Sequence, residues 1–256
     1  MRIATYNVNG INGRLPVLLK WLEGTGPDVA CLQELKTSDE CFPAAAIEAA
    51  GYGAIWHGQK SWNGVAILAK GCRPEETRRG LPGDPDDSHS RYIEAAVKGV
   101  LVGCLYLPNG NPRPGPKFDY KMRWIERFAA LATEHRTLNA PVVLAGDYNI
   151  IPTDFDVYKP ERWLDDALFA PEAKAAYAGL LKSGWVDALR KLHPDERMFT
   201  FWKYWRGSFE RDAGLRIDHF LLNKPAAQRL KSAGVDRATR ALPKTSDHAP
   251  AWIELK

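Results

Sequence analysis

The sequence predicts an α/β protein: a mixed, largely antiparallel sheet layer, or a pair of such layers, with helices outside. Three observations predict it. Nine short runs rich in Val, Ile, Leu, Tyr and Cys recur along the chain, bounded by Gly, Pro, Asn or Asp, as strands and their turns are. Amphipathic helical patterns fall between some of these runs but not all, so several strands follow each other directly, as hairpins do. That argues against a pure βαβ repeat. Hydrophobic residues make up 45% of 256 residues, enough for one sizeable core. No repeat, low-complexity tract or linker interrupts it, so residues 1–256 read as one domain.

The strand-like runs are 2–8, 28–33, 53–57, 64–69, 92–98, 100–107, 141–146, 216–222 and 250–255. Residues 14–23 (RLPVLLKWLE) form a short amphipathic helix, and 43–50 open with Pro43, a good first-turn residue. The longest helix spans 117–136, where Phe118, Met122, Ile125, Phe128, Ala129 and Ala132 keep helical spacing. Shorter candidates are 172–183 and 185–191. The polar, Gly/Pro-rich stretches 71–90 and 109–116 read as surface loops.

Charged residues are 26% of the chain and the formal net charge is +4, which permits a polyanionic partner without demanding one. The four cysteines, Cys31, Cys41, Cys72 and Cys104, form no CxxC pair. Their spacing suits neither zinc nor a disulfide framework, and three sit in apolar context, as buried free thiols would. The N-terminus reads as a strand at once rather than as a signal peptide, and no run approaches the length of a membrane span. These features predict a soluble cytoplasmic protein with no membrane partner.

Six apolar runs end abruptly in a residue able to bind a metal, a phosphate or a proton. The endings are Asn7; Glu34; Tyr106 and Asn109; Asp147 and Asn149; Asp218; and Asp247 with His248. Ligands gather beyond strand ends where distant segments meet. Each ending alone has a plain reading: Asp and Asn are common turn residues, and a carboxylate at a strand end often just faces water. In GDYN, Gly146 is read as freeing the chain to turn after PVVLA, with Asp147 and Asn149 directed to one side. Asp218, in RIDHFLL, should be partly buried and so need a partner, for which His248 is a candidate. Together the carboxylates, amides and single His point to a hard-metal site acting on phosphate.

TYNVNG, LQELKT, YLPNG, GDYN, RIDHFLL and SDHAP follow in this order along the chain. The pattern resembles exonuclease III and the related apurinic/apyrimidinic (AP) endonucleases, within the endonuclease/exonuclease/phosphatase superfamily. The resemblance runs from Ile3 to the terminal strand, and LQELKT, NIIPTDFDVY and GLRIDHFLL narrow it to the exonuclease III branch. It implies a four-layer α/β sandwich of two packed sheets flanked by helices. It also implies Mg²⁺, with Mn²⁺ able to substitute. Glu34 would be the principal ligand, with Asn7 and Asp247 near it and Asp147, Asn149 and His248 completing the metal-facing set. Asp147 would orient or deprotonate the attacking water. Asn149 and Asn109 would hold phosphate oxygens, and Tyr106 would donate to the phosphate or support the leaving group. His248 would contact the scissile phosphate, oriented by Asp218. The chain departs from some relatives at Asn9, where they carry Asp, and at His219, which reads as a packed sheet residue.

Residues 199–209 (FTFWKYWRGSF) hold six aromatics, with Arg197, Lys203, Arg206, Arg211 and Arg216 interleaved or adjacent. Some of these rings must be core. The alternative is a DNA-contacting loop in which cations such as Lys203 and Arg206 neutralise phosphates. The family resemblance adds a small apolar pocket for a flipped-out abasic sugar, lined here by Phe201, Leu215 and Ile217, with Trp202 packing beside it. The implied activity is a Mg²⁺-dependent DNA repair nuclease: AP endonuclease, 3′→5′ exonuclease on double-stranded DNA, and 3′-end-cleaning phosphodiesterase or phosphatase. Its partner would be duplex DNA with abasic sites or damaged or recessed 3′ ends, bound by a monomer. The rivals are a phosphoinositide or sphingolipid phosphoesterase of the same superfamily and a non-catalytic DNA-binding relative.

Overall fold

A computed structural model describes all residues 1–256. In chain order the elements are β1 (Arg2–Asn7), α1 (Ile11–Thr25), β2 (Val29–Gln33), α2 (Ala44–Ala49), β3 (Tyr52–His57), β4 (Val65–Lys70), β5 (Glu75–Arg79), β6 (Tyr92–Val97), β7 (Val100–Tyr106), α3 (Pro116–Arg136) and β8 (Val142–Asp147). There follow α4 (Pro171–Ser183), β9 (Val186–Asp187), α5 (Ala188–Leu192), β10 (Asp218–Leu222), α6 (Lys224–Arg229), β11 (Leu230–Val235), α7 (Arg237–Arg240) and β12 (Ala251–Leu255).

The strands form two six-stranded sheets, ordered β11-β12-β1-β2-β4-β3 and β5-β6-β7-β8-β10-β9. Each contains one parallel pair, β1 with β2 and β7 with β8. A parallel pair needs a crossover, and α1 and α3 supply the two. Every other neighbour is antiparallel. The two sheets therefore repeat one plan, although the sequence shows no repeat.

Side-chain alternation stacks the layers. Ile3, Val29, Cys31, Val102, Cys104, Val143 and Ala145 face a core between the sheets. On the same strands Ala4, Ala30 and Leu32 face the side of α1 and α2, while Val142 and Leu144 face α3 and α4. Strands buried on both faces lose the polar alternation of a half-exposed strand, which is why β2 and β8 read as continuous apolar runs. The result is helix, sheet, sheet, helix.

The elements differ from the sequence reading at several places. Helix α1 begins three residues early because Gly10 and Ile11 donate their N–H groups to Glu34 O (2.7 Å) and Leu35 O (3.0 Å). Strand β5 lies within the expected loop 71–90; it is an exposed edge strand with no apolar face to reveal it. Strand β9 takes the first residues of the helix expected at 185–191, which begins only at Ala188, where the Asp187 side chain accepts from Arg190 N; β11, α6 and α7 were unsignalled, and all are short or polar. Residues 216–217 stay outside β10: Arg216 N bonds to Asp156 O and Ile217 O accepts from Tyr148 N. Gly146 lies inside β8 and does not turn the chain. A Cβ there would fall 2.0 Å from Leu105 O, so the glycine serves close strand approach. Two cysteines rather than three are buried, Cys31 and Cys104; Cys41 and Cys72 are exposed. No helix is long and apolar enough to cross a membrane.

Candidate active site

The ends of the two parallel pairs point at one another across the sandwich. Asn7 closes β1, Glu34 follows β2, Tyr106 closes β7 and Asp147 closes β8. The Asn7 amide joins the two sheets, donating to Glu34 Oε1 and to Asp147 Oδ2, both at 2.9 Å. Tyr106 Oη donates to the same Glu34 oxygen at 2.8 Å. Lys36 Nζ pairs with the other, Oε2, at 2.7 Å. Glu34, Lys36, Asn9 and Asn149 all hold left-handed φ between 47° and 52°. Such conformations concentrate where surrounding structure over-determines the backbone.

Register places Asp218 directly opposite Asp147 on the antiparallel β8–β10 ladder. Asp218 Oδ2 accepts from His248 Nδ1 at 2.8 Å, and His248 Nε2 lies 3.8 Å from Asp147 Oδ2. The turn carrying His248 is tied to β1: Ser246 Oγ donates to Asn7 O at 2.6 Å and accepts from His248 N at 3.2 Å. Asp147, Asp218 and His248 are all buried, and one ligand atom from each lies within 4.8 Å of the others. Asp218, expected to be partly buried, is 1% exposed.

Charge crowding sets the protonation states. Burial pushes the Asp147 carboxyl up, and the like charges of Asp218 and Glu34 add to this; the His248 imidazolium and the Asn7 amide oppose it, leaving it at about 7. Burial disfavours charge on His248, but the Asp218 carboxylate outweighs burial and lifts it to about 10. Glu34 is pushed up by burial and pulled down further by Lys36 and the Asn7 hydrogen bond, so it ends below the usual carboxylate range. Burial, then Glu34 and Asp147, drive Tyr106 well above an ordinary phenol, so its hydroxyl stays a donor.

The site's amides are held by backbone. Asn149 takes its place through its N–H to Asp147 Oδ1 and its Nδ2 to Leu107 O, both 2.9 Å, and accepts from Asn109 Nδ2 at 3.3 Å. Lys121 was missed by sequence reasoning. Fully buried on α3, its ammonium donates to Asn149 O (2.6 Å) and Asn109 O (3.1 Å). The signal was present: Lys121 interrupts the apolar face between Phe118 and Ile125. Asn9, the departure from Asp, crosslinks the rim. Its Oδ1 accepts from Lys36 at 2.6 Å and its Nδ2 donates to Asp247 Oδ1 at 3.0 Å.

The aromatic stretch divides in two. Phe199 and Trp202 are buried, while Tyr204 and Trp205 are exposed together with Lys203 and Arg206. Trp202 packs as expected. The Phe201 ring meets the His248 ring edge to face, centroids 5.0 Å apart. Phe201 is half-buried against a cluster holding Leu215 and Ile217, which are themselves buried. Arg216 is not a surface cation: it is 1% exposed, bound to Asp156 and Asp187 at 2.7 Å each. It therefore leaves the set of residues available to a phosphate.

The model of the Endonuclease/Exonuclease/phosphatase family matches residues 4–248. The chain belongs to this family. Among relatives of the same family, exodeoxyribonuclease III of Haemophilus influenzae is 36% identical, with both chains covered fully. The structure of a 3′-5′ exonuclease from Neisseria meningitidis superposes with a TM-score of 0.96 at 41% identity, covering 100% of both chains. An AP endonuclease from Archaeoglobus fulgidus gives 0.95 at 36% identity, covering 100% of this chain and 99% of that one. The family fold, two mixed sheets flanked by helices, is the one built above.

Proposed function

We propose that this protein is a Mg²⁺-dependent DNA repair nuclease of the exodeoxyribonuclease III type. It would cut 5′ to abasic sites, remove nucleotides 3′→5′ from double-stranded DNA and clear blocked 3′ ends. The observation that carries the reading is the buried cluster in which Asp147 lies between an imidazolium and the Asn7-bridged Glu34. That is an arrangement for in-line hydrolysis of a phosphodiester by water.

The donor set suits a hard cation. It is oxygen-rich and free of thiols. Asp218 Oδ1 is buried without a hydrogen-bond partner, and Asp147 is pushed toward its neutral form by burial and then by the neighbouring carboxylates; positive charge would relieve both. Glu34, Asp147, Asp247 and Asn7 would hold the ion, with Asn149 Oδ1 beside them. When bound, Mg²⁺, or Mn²⁺ in its place, would supply charge stabilisation at the phosphate oxygens. His248 was expected to face the metal as well; paired with Asp218 and raised to about 10, its imidazolium would have no lone pair for a cation and would suit a phosphate oxygen. Asp147 would orient the water and take its proton. Asn109 and Asn149 would hold non-bridging oxygens, and the Tyr106 hydroxyl would donate to the phosphate or support the leaving group.

Phe201 would wall the sugar pocket beside His248, with Leu215 and Ile217 as its floor. Lys203 and Arg206 would meet backbone phosphates. A cytoplasmic monomer acting on damaged duplex DNA fits this reading. The test is a time course on two labelled duplexes, one with an internal abasic site and one with a recessed 3′ end, in Mg²⁺ or EDTA. Cleavage of both in Mg²⁺ and of neither in EDTA is expected. Turnover of a phosphoinositide or sphingolipid with both duplexes left intact would overturn it.

A further inference from the structure

The most exposed large apolar side chain so far has no role. Trp62 is 70% exposed, in the connection between β3 and β4, where Ser61 and Asn63 hold φ of 74° and 60°. This loop is pinned. Asn63 is buried and donates to Gln59 Oε1 at 2.9 Å, and the same oxygen accepts from Ser90 N at 3.0 Å. Ser90 Oγ donates to Gly58 O at 2.9 Å. Left-handed backbone at non-glycine residues persists only where neighbours impose it, and an indole left in water adds nothing to the core.

Trp62 lines a cleft of about 440 Å³ together with Lys117, Tyr106 and Asn109, within the range of about 300–1,000 Å³ that takes a small ligand. Lys36 links its rim to the catalytic cluster, pairing with Glu34 while its ammonium lies 5.9 Å from the indole centroid. Lys117 is exposed and enters no ion pair. The Phe201 wall, by contrast, contacts His248 and contributes nothing to this cleft. An aromatic face and a free cation lining one cleft are the combination that binds unpaired nucleotides, since every base has a π-face and every link a phosphate.

We propose that this cleft is a second nucleotide subsite: Trp62 stacks on an unpaired base adjoining the scissile phosphate, and Lys117 holds a backbone phosphate next to it. The proposal rests on the nuclease reading and adds a side to it, placing the scissile phosphate between a sugar wall at Phe201 and a base wall at Trp62.

The experiment measures binding of an Asp147→Ala protein, alone and combined with Trp62→Ala, Trp62→Phe or Lys117→Ala, to duplex with a recessed 3′ end. Base-less residues are placed in turn at the terminal and overhanging positions. Trp62→Ala should weaken binding about 5- to 100-fold with the salt slope unchanged, and Trp62→Phe should recover most of the loss. Lys117→Ala should instead flatten the log–log salt slope by about one unit. At one position a base-less residue should weaken the Asp147→Ala protein but not its Trp62→Ala derivative. Parental affinity in Trp62→Ala, or an equal penalty in both proteins at every position, would overturn the subsite. The unsubstituted protein, run on the same duplex in Mg²⁺, separates the two claims: failure to cleave removes the nuclease reading, whereas cleavage with parental binding by Trp62→Ala removes only the subsite.

Discussion

Asp218 and His219 are neighbours on β10, and their side chains leave the strand on opposite faces into opposite electrostatics. On one face Asp218 holds His248, which is 3% exposed yet pushed up to about 10. On the other, His219 is fully buried against Tyr148 and Tyr177, accepts at Nδ1 from Arg216 Nη1 at 3.1 Å, and is pushed down to about 4 by burial and then by Arg216. Burial is nearly the same for both imidazoles. The sign of the adjacent charge decides which one is an ion, and so which can contact a phosphate and which can only pack.

The strongest break in that contrast would come from the face that carries Asp218 and His248. His248→Ala and Asp218→Ala should each cost on the order of 10³–10⁴ in turnover while leaving DNA affinity nearly intact. The double variant should cost little more than either, because the two act as a unit. Strictly multiplicative losses would show that the hydrogen bond between them does not matter to turnover. On the packing face, Arg216→Ala strands the Asp187 carboxylate and takes one of two arginines from Asp156. Loss of about 3–5 kcal/mol of stability is expected, read by chemical denaturation. The salt slope of DNA binding should stay unchanged; a flatter slope would return Arg216 to the DNA surface.

Protonation of His219 sharpens the comparison further. The unfolded chain binds this proton near pH 6.5, whereas the native protein resists it until about pH 4. Its contribution is therefore complete above pH 6.5 and is lost as pH falls toward 4, by about 3 kcal/mol in total. His219→Gln should show a shallower fall in urea stability between pH 6.5 and 4.5, and parallel falls would assign the loss to other groups. The smallest effect belongs to the rim. Lys203→Ala and Arg206→Ala should each flatten the log–log salt slope by about one unit if they meet phosphates, in contrast to Arg216, which lies in the same stretch of sequence.

The contrast also marks what could be read from the chain. The strand-end residues were legible because a site needs charged or amide groups just where apolar runs stop, and Asn7, Glu34, Tyr106, Asp147, Asp218 and His248 do converge. The helix, sheet, sheet, helix order followed from the family resemblance, and the mixed, largely antiparallel character from the patterning. Partners on the far side of the fold were not legible. Arg216 reads as one more cation in a basic stretch until Asp156 and Asp187, separated from it by 60 and 29 positions, are seen to enclose it. Strand β5 was invisible because an exposed edge strand needs no apolar residues. Gly146 was misread because a turn and a close strand approach select the same residue.

Asn7 lies in the first strand and His248 just before the last, and both reach Asp147 in the middle of the chain. Sheet order enforces this, since β1 is flanked by β2 on one side and β12 on the other. Synthesis runs from one end, so a nascent chain that has emerged as far as β10 has Glu34, Asp147 and Asp218 but neither Asp247 nor the His248 imidazole. The proposed site therefore cannot be assembled by any part of the chain that stops short of the turn at His248, and its chemistry waits for β12 to pair with β1.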